Sequence, residues 1–193
     1  MIVVFGGSFN PPTIAHYEIA AHILKKVPCQ AFYFLPVGDA YPKKGLIAAK
    51  HRVAMLNLLC QQLEHAAVSL IEVQATKVLT TYETLTQLQK QHPGETIAFI
   101  IGADNLNDLE NWFQYEQLIT SFKLIVFRRD DIDIEQIIEK RFYEFKTQFI
   151  LLDAFKPLNV SSTMYRENLN RSDLVLTEVE QYIRQHQLYG RGE

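Results

Sequence analysis

The residues best suited to chemistry stand at the start of the chain. An apolar run over 2–5 ends at Gly6 and Gly7; Asn10, Pro11 and Pro12 follow, then Thr13 and His16. The run reads as a buried first strand. A bare glycine backbone can turn tightly or approach a ligand closely. The prolines stop any helix, and Thr13 is a good N-cap for one that begins next, with His16 in its first turn. Strand, glycine turn and helix N-terminus together offer free N–H groups and a positive helix end to an anion, with His16 beside them. Phosphate handling is the chemistry such an arrangement suits, while the two glycines after a strand can equally make a plain tight turn. The spacing is neither GxGxxG nor GxxxxGK[ST], so the two commonest nucleotide fingerprints are absent. Near the far end, Ser161, Ser162, Thr163 and Arg166 form a second polar cluster, where a helix is expected to start.

Strand and helix patterns alternate along most of the chain. Strands are expected over 31–35, 68–73, 96–101, 124–127 and 149–152 after the first. Helices are expected over 47–64, with Val53, Leu56, Leu59 and Leu63 on one face, and over 82–91, 132–145, 163–169 and 174–187. The strands are continuously apolar, which implies a parallel sheet covered on both faces. The reading is α/β: a single doubly wound domain spanning 1–193, with a parallel sheet and C-terminal helices. Ligands in such sheets sit beyond the carboxyl ends of the strands. The segments 6–16, 36–44, 102–104, Arg128 with Arg129, and 160–163 should therefore converge.

Composition narrows the class. The chain has 193 residues, 48% hydrophobic and 21% charged, with a net charge of −3. That is a globular balance with no broad basic surface for nucleic acid, and it leaves phosphorylated small molecules open. Cys29 and Cys60 make no CxxC or zinc pattern, so two reduced thiols are expected. No apolar run approaches the roughly 20 residues that span a bilayer. The start is strand-like, with no basic leader or cleavage site. A cytoplasmic protein without membrane or nucleic-acid partners is expected, with the choice between monomer and homo-oligomer open.

The run Gly7-Ser8-Phe9-Asn10-Pro11 with Thr13 and His16 resembles the signature G-[ST]-F-[DN]-P-x-[HT]-x-x-H of the nucleotidylyltransferase superfamily. The run 160–166, Val-Ser-Ser-Thr-Met-Tyr-Arg, resembles its second signature, [IV]-S-[ST]-T-x-x-R. Ile100-Ile101-Gly102-Ala103-Asp104 with Trp112, the run 124–129 and the C-terminal Gln187-Leu188-Tyr189 are similar to nicotinate/nicotinamide mononucleotide adenylyltransferases. The resemblance covers essentially the whole chain. It implies a Rossmann-like nucleotidylyltransferase fold and transfer of AMP from ATP to a pyridine mononucleotide, with pyrophosphate released. Magnesium would arrive with ATP, with no metal ligands on the chain itself.

The resemblance also implies roles. His16, Lys44 and Arg166 would be catalytic. Gly7, Ser8, Phe9, Thr13, His16, Gly102, Asp104, Ser161, Ser162, Thr163 and Arg166 would bind ATP. Lys44, Tyr82, Thr84, Trp112, Tyr115 and Arg129 would bind the mononucleotide, with Lys43 a substitute for Lys44. Thr13 stands where many bacterial members have a second histidine. Glu83 stands where members often carry a hydroxyl, and a carboxylate there would favour a carboxamide substrate over a carboxylate one.

Plainer readings stay open beside these. Ser161 to Thr163 can be an ordinary N-cap, Asp104 another, and Arg166 a solvated charge. Lys43 and Lys44 can belong to a loop, Arg128 and Arg129 to a guarded sheet edge, and Trp112 to the core. Competing functions are phosphopantetheine adenylyltransferase, a cytidylyltransferase, or a nucleotide-binding sensor without catalysis. A dehydrogenase lacks its glycine fingerprint here.

Overall fold

A computed structural model describes residues 1–127, 132–152 and 158–190. Six strands, β1 (Ile2–Gly7), β2 (Ala31–Pro36), β3 (Ala66–Val68), β4 (Ile97–Gly102), β5 (Lys123–Phe127) and β6 (Phe149–Leu152), form one sheet in the order β3-β2-β1-β4-β5-β6. Every neighbouring pair is parallel. The strand order reverses between β1 and β4. Their carboxyl ends therefore part and leave a crevice, as in other doubly wound sheets.

Eight helices cover the sheet: α1 (Ile14–Lys26), α2 (Ala49–Cys60), α3 (Thr81–Gln91), α4 (Ala103–Asp108), α5 (Tyr115–Ser121), α6 (Ile134–Arg141), α7 (Ser162–Glu167) and α8 (Thr177–Gln185). The strands bury both faces, so successive residues enter different cores. Val3, Phe32 and Phe34 pack with Ile23, Leu56, Leu59, Val179 and Ile183 on one side. Ile2, Val4, Phe99 and Ile101 pack with Leu85, Leu106, Ile119 and Ile138 on the other. The expected parallel, doubly covered α/β architecture is the one found. Among the described residues no helix is long and apolar enough to cross a membrane.

Several boundaries differ from the sequence reading, each for a local reason. The third strand was expected over 68–73 and instead occupies Ala66–Val68. After it the Ser69 amide donates to the Phe34 carbonyl, and a turn follows in which Gln74 N–H returns to Leu70. That turn passes so close to Gly38 that a Cβ there would collide with the Glu72 carbonyl. The helix expected over 132–145 is shorter, because the Asp133 carboxylate caps Gln136 N–H at its start. It stops at buried Phe142, and a 3-10 turn follows over Tyr143–Gln148. The helix expected over 174–187 begins only at Thr177, preceded by a 3-10 turn over Ser172–Leu174 and extended Val175.

Candidate active site

The corner between β1 and α1 is built around Phe9. Its backbone lies in the left-handed region (φ 46°), uncommon for a side chain of this size, and its ring is buried. The ring meets Phe5 and Phe34 edge to face and lies 5.0 Å from the His16 ring. This packing holds the turn in place and seats His16 at the mouth. Thr13 caps α1, whose first turn carries no acidic residue, so nothing on the helix neutralises its positive end.

Thr13 N–H donates to Nδ1 of His16 (2.9 Å), and Thr13 Oγ1 lies 2.8 Å from the same nitrogen. An amide can only donate, so Nδ1 is the acceptor and the ring hydrogen sits on Nε2. Thr13 is itself fully buried. It engages His16 and lines neither of the two cavities described below.

Three cations ring the turn. Lys43 Nζ donates to Ser8 Oγ (2.8 Å). Arg52, wholly buried in α2, donates to the carbonyls of Ser8 (3.2 Å) and Ile47 (2.9 Å) and pairs with Asp39 (3.3 Å). Arg166 donates to the Asn10 carbonyl (2.6 Å) and to Thr163 Oγ1 (3.0 Å). Burial holds the Lys43 ammonium below its ordinary pKa, and the charges of Arg166 and Arg52 add to the effect. Mutual repulsion of this kind is what an incoming polyanion relieves.

The second signature docks on the first. Ser162 Oγ donates to the Pro11 carbonyl (2.7 Å), and Ser161 Oγ caps Met164 N–H (3.2 Å). Asn10 is the joint between them. Its amide donates to Gly45 (2.9 Å), and its side-chain oxygen accepts from Tyr189 OH (2.9 Å) and Ile47 N–H (3.4 Å).

Among the described residues, two cavities open at the strand ends. The larger, about 640 Å³, is lined by Gly7, Ser8, Lys43, Glu72, Thr81 and Trp112, among others. The smaller, about 200 Å³, is lined by His16, Gly102, Asp104, Phe127 and Val160, among others. Both reach Gly6, Ile100 and Asn105, so they meet where the strand order reverses. Gly102 caps α4, and a Cβ on it would run into the Asp104 carboxylate, which folds back over this strand end.

The expected convergence therefore holds for the segments after β1, β2, β4 and before α7, and Arg128 and Arg129 lie outside the described residues. Of the two lysines it is Lys43 that meets the signature loop and lines the cavity, so Lys43 takes the position given to Lys44. Trp112 lines the larger cavity, with its ring 6.4 Å from Phe99. Thr84 is buried and donates to Glu72 (2.9 Å). Tyr82 lies against Phe122, and Tyr115 donates to Glu116. Neither borders the cavity, whose helical wall is formed by Thr81 instead.

Glu83 also turns away. It accepts from Lys77 (2.8 Å) and from Thr80 N–H (2.8 Å), closing a capping box at the start of α3. These bonds, Lys77 first, bring its carboxyl down to about 2. It does not line the larger cavity, which removes the basis for a Glu83 effect on substrate charge. Glu72, absent from the sequence reading, does line it. Arg52 was missed as well, although it falls on the 3/4-spaced buried stripe of α2 with Met55, Leu56 and Leu59.

Comparison with known proteins agrees with the geometry. The cytidylyltransferase-like family model matches residues 4–168. A probable nicotinate-nucleotide adenylyltransferase of Acholeplasma laidlawii is 31% identical, over 98% of this chain and 97% of its own. One of Clostridium acetobutylicum is 29% identical, over 96% and 97%. In fold the chain is similar to Plasmodium falciparum nicotinic acid mononucleotide adenylyltransferase complexed with NaAD. There the TM-score is 0.80 at 21% identity, over 99% of this chain and 98% of the other.

Proposed function

Because this chain belongs to the cytidylyltransferase-like family, and within it to the nicotinate-nucleotide adenylyltransferases, we propose that it transfers the adenylyl group of ATP to nicotinate mononucleotide. A phosphate oxygen of the mononucleotide attacks the α-phosphorus of ATP. The bond from that phosphorus to the bridging oxygen breaks, and pyrophosphate leaves. The attacker is already an anion, so the protein needs no nucleophile of its own. Its tasks are to align two polyanions and to balance the charge that gathers between them.

The observation that carries this reading is the meeting of two cavities at Gly6 and Ile100, beside the cations of the signature loop. A two-substrate transfer needs separate seats with a common border at the reacting atoms. The smaller cavity suits the adenosine end, with Asp104 placed for a ribose hydroxyl and His16 Nε2–H for the phosphates. The larger suits the mononucleotide, with Trp112 for the aromatic ring and Lys43 toward its phosphate. Arg166, Ser162 and Thr163 stand by the leaving pyrophosphate. The backbone of the turn at Gly7, Ser8 and Phe9 completes the cradle.

Magnesium fits as a companion of ATP. Among the described residues no three His, Cys, Asp or Glu side chains are grouped to hold an ion. The donors at this corner are hydroxyls, amides and cations, which suit phosphate oxygens, and those oxygens with water would carry the ion. When bound, it would offset phosphate charge. Two unpaired thiols, Cys29 and Cys60, support a reducing compartment such as the cytoplasm.

The test is pyrophosphate release from ATP and magnesium with nicotinate mononucleotide, nicotinamide mononucleotide or phosphopantetheine. Release with nicotinate mononucleotide is the expected result. Release with phosphopantetheine alone would move the protein to another branch of the family.

A further inference from the structure

The larger cavity holds two charged residues among those described, Lys43 and Glu72. Lys43 is committed to the signature loop through Ser8. Glu72 stands in the turn after β3, and its backbone is wedged against Gly38, so its position is fixed by the fold. One carboxyl oxygen accepts from the buried hydroxyl of Thr84 on α3. Glu72 lines the same cavity as Thr81 and as Trp112, the side chain assigned above to the pyridine ring.

We infer that Glu72 is a specificity-determining residue for the ring substituent of the mononucleotide. As a neutral acid it donates a hydrogen bond to the substrate carboxylate, and as an anion it repels that group, whereas the uncharged carboxamide keeps an N–H to donate to it. This rests on the larger cavity being the mononucleotide seat. The chemistry follows from like charges in a half-enclosed, poorly solvated space, where repulsion is stronger than in water.

The switch falls in an accessible range. Burial pushes the Glu72 carboxyl up to about 7, while the Thr84 hydroxyl pulls the other way. The groups around it are few. Tyr41 and Lys43 border the cavity from the loop after β2, and β1 and β4 contribute uncharged side chains and backbone. On its own segment Lys77 is engaged by Glu83.

The test follows kcat/KM for nicotinate mononucleotide between pH 6 and 8 in the wild type, Glu72→Gln and Thr84→Val. Dividing the wild-type profile by the glutamine profile cancels titration of the substrate's own phosphate. That quotient is expected to fall about tenfold, as a group of pKa near 7 passes from mostly neutral to mostly ionised. Thr84→Val, which removes the bond favouring the anion, is expected to move the fall to higher pH. With nicotinamide mononucleotide the quotient is expected not to fall. Parallel wild-type and Glu72→Gln profiles would overturn the inference. If the glutamine variant does not fold, an unmoved midpoint in Thr84→Val would overturn it too. Turnover of neither mononucleotide by the wild type would instead defeat the adenylyltransferase reading, and this inference with it.

Discussion

Arg166 Nη1 donates to the carbonyl oxygen of Asn10 at 2.6 Å, across 156 positions of sequence. The bond joins the two polar clusters at either end of the chain into one site. It also leaves the guanidinium at the turn that carries Ser8, to which Lys43 reaches from the loop after β2. The charge is thus fixed in direction by a neutral acceptor, and among the described residues no carboxylate forms an ion pair with it.

Replacement of Arg166 by lysine is expected to lower kcat/KM by about a hundredfold, because an ammonium keeps the charge but not the planar fork. Steady-state kinetics with both substrates reads this directly. The melting temperature should change little, since the residue is only partly buried. A variant with full activity would show that charge alone suffices.

Arg52 is a different case. It is fully buried and holds two backbone carbonyls and Asp39. Arg52→Met would strand those carbonyls without a donor, at a cost of about 2–4 kcal/mol. Urea unfolding measures it. Because the Ser8 carbonyl is one of the acceptors, activity should fall with stability. Stability unchanged within error would remove Arg52 from the framework of the turn.

Glu72 has a signature independent of turnover. Its folded-state pKa is raised above the unfolded value, so its favourable contribution is complete below about 4.5 and is lost as pH rises through about 7. Glu72→Gln does not titrate. The melting temperature of the variant relative to wild type should therefore move upward, on the order of several degrees, between pH 5 and pH 8. A constant difference across that range would mean that the carboxyl is not held neutral by its surroundings.

Glu83 runs with the opposite sign. Its carboxyl is brought down to about 2 by Lys77 and by Thr80. Its contribution is present above about 4.5 and lost as pH falls toward 2. Glu83→Gln should flatten part of the acid unfolding limb, followed by circular dichroism. The same variant should leave the preference between acid and amide mononucleotides unchanged, and a changed preference would return Glu83 to the pocket.

What the sequence disclosed was what is local in it. The strand, the glycine turn, Thr13 and His16 lie within one short run, and so do Ser161 through Arg166. Spacing alone places each set on one corner of a helix. Glu83 was legible too, since Thr80 and Glu83 have capping-box spacing, a better account of that carboxylate than a pocket role. The choice between Lys43 and Lys44 has no periodicity to decide it, because a loop sets which one turns inward. Glu72 was hidden for another reason. Its apolar neighbours Leu70, Ile71 and Val73 mimic a strand, whereas the turn there is dictated by the approach of Gly38. Asn10 with Tyr189 depends on contacts across the whole chain, and no spacing rule reaches that far.

Adenylyl transfer is expected at the corner where Thr13 holds His16 by Nδ1 on the wall of the smaller cavity. The most direct measurement is a comparison of His16→Ala and wild type for kcat and for the dissociation constant of ATP with magnesium. A donor used mainly in the transition state predicts a fall in kcat of about a hundredfold or more with ATP affinity changed only a few-fold. An unchanged kcat, or a loss confined to ATP binding, would contradict the account.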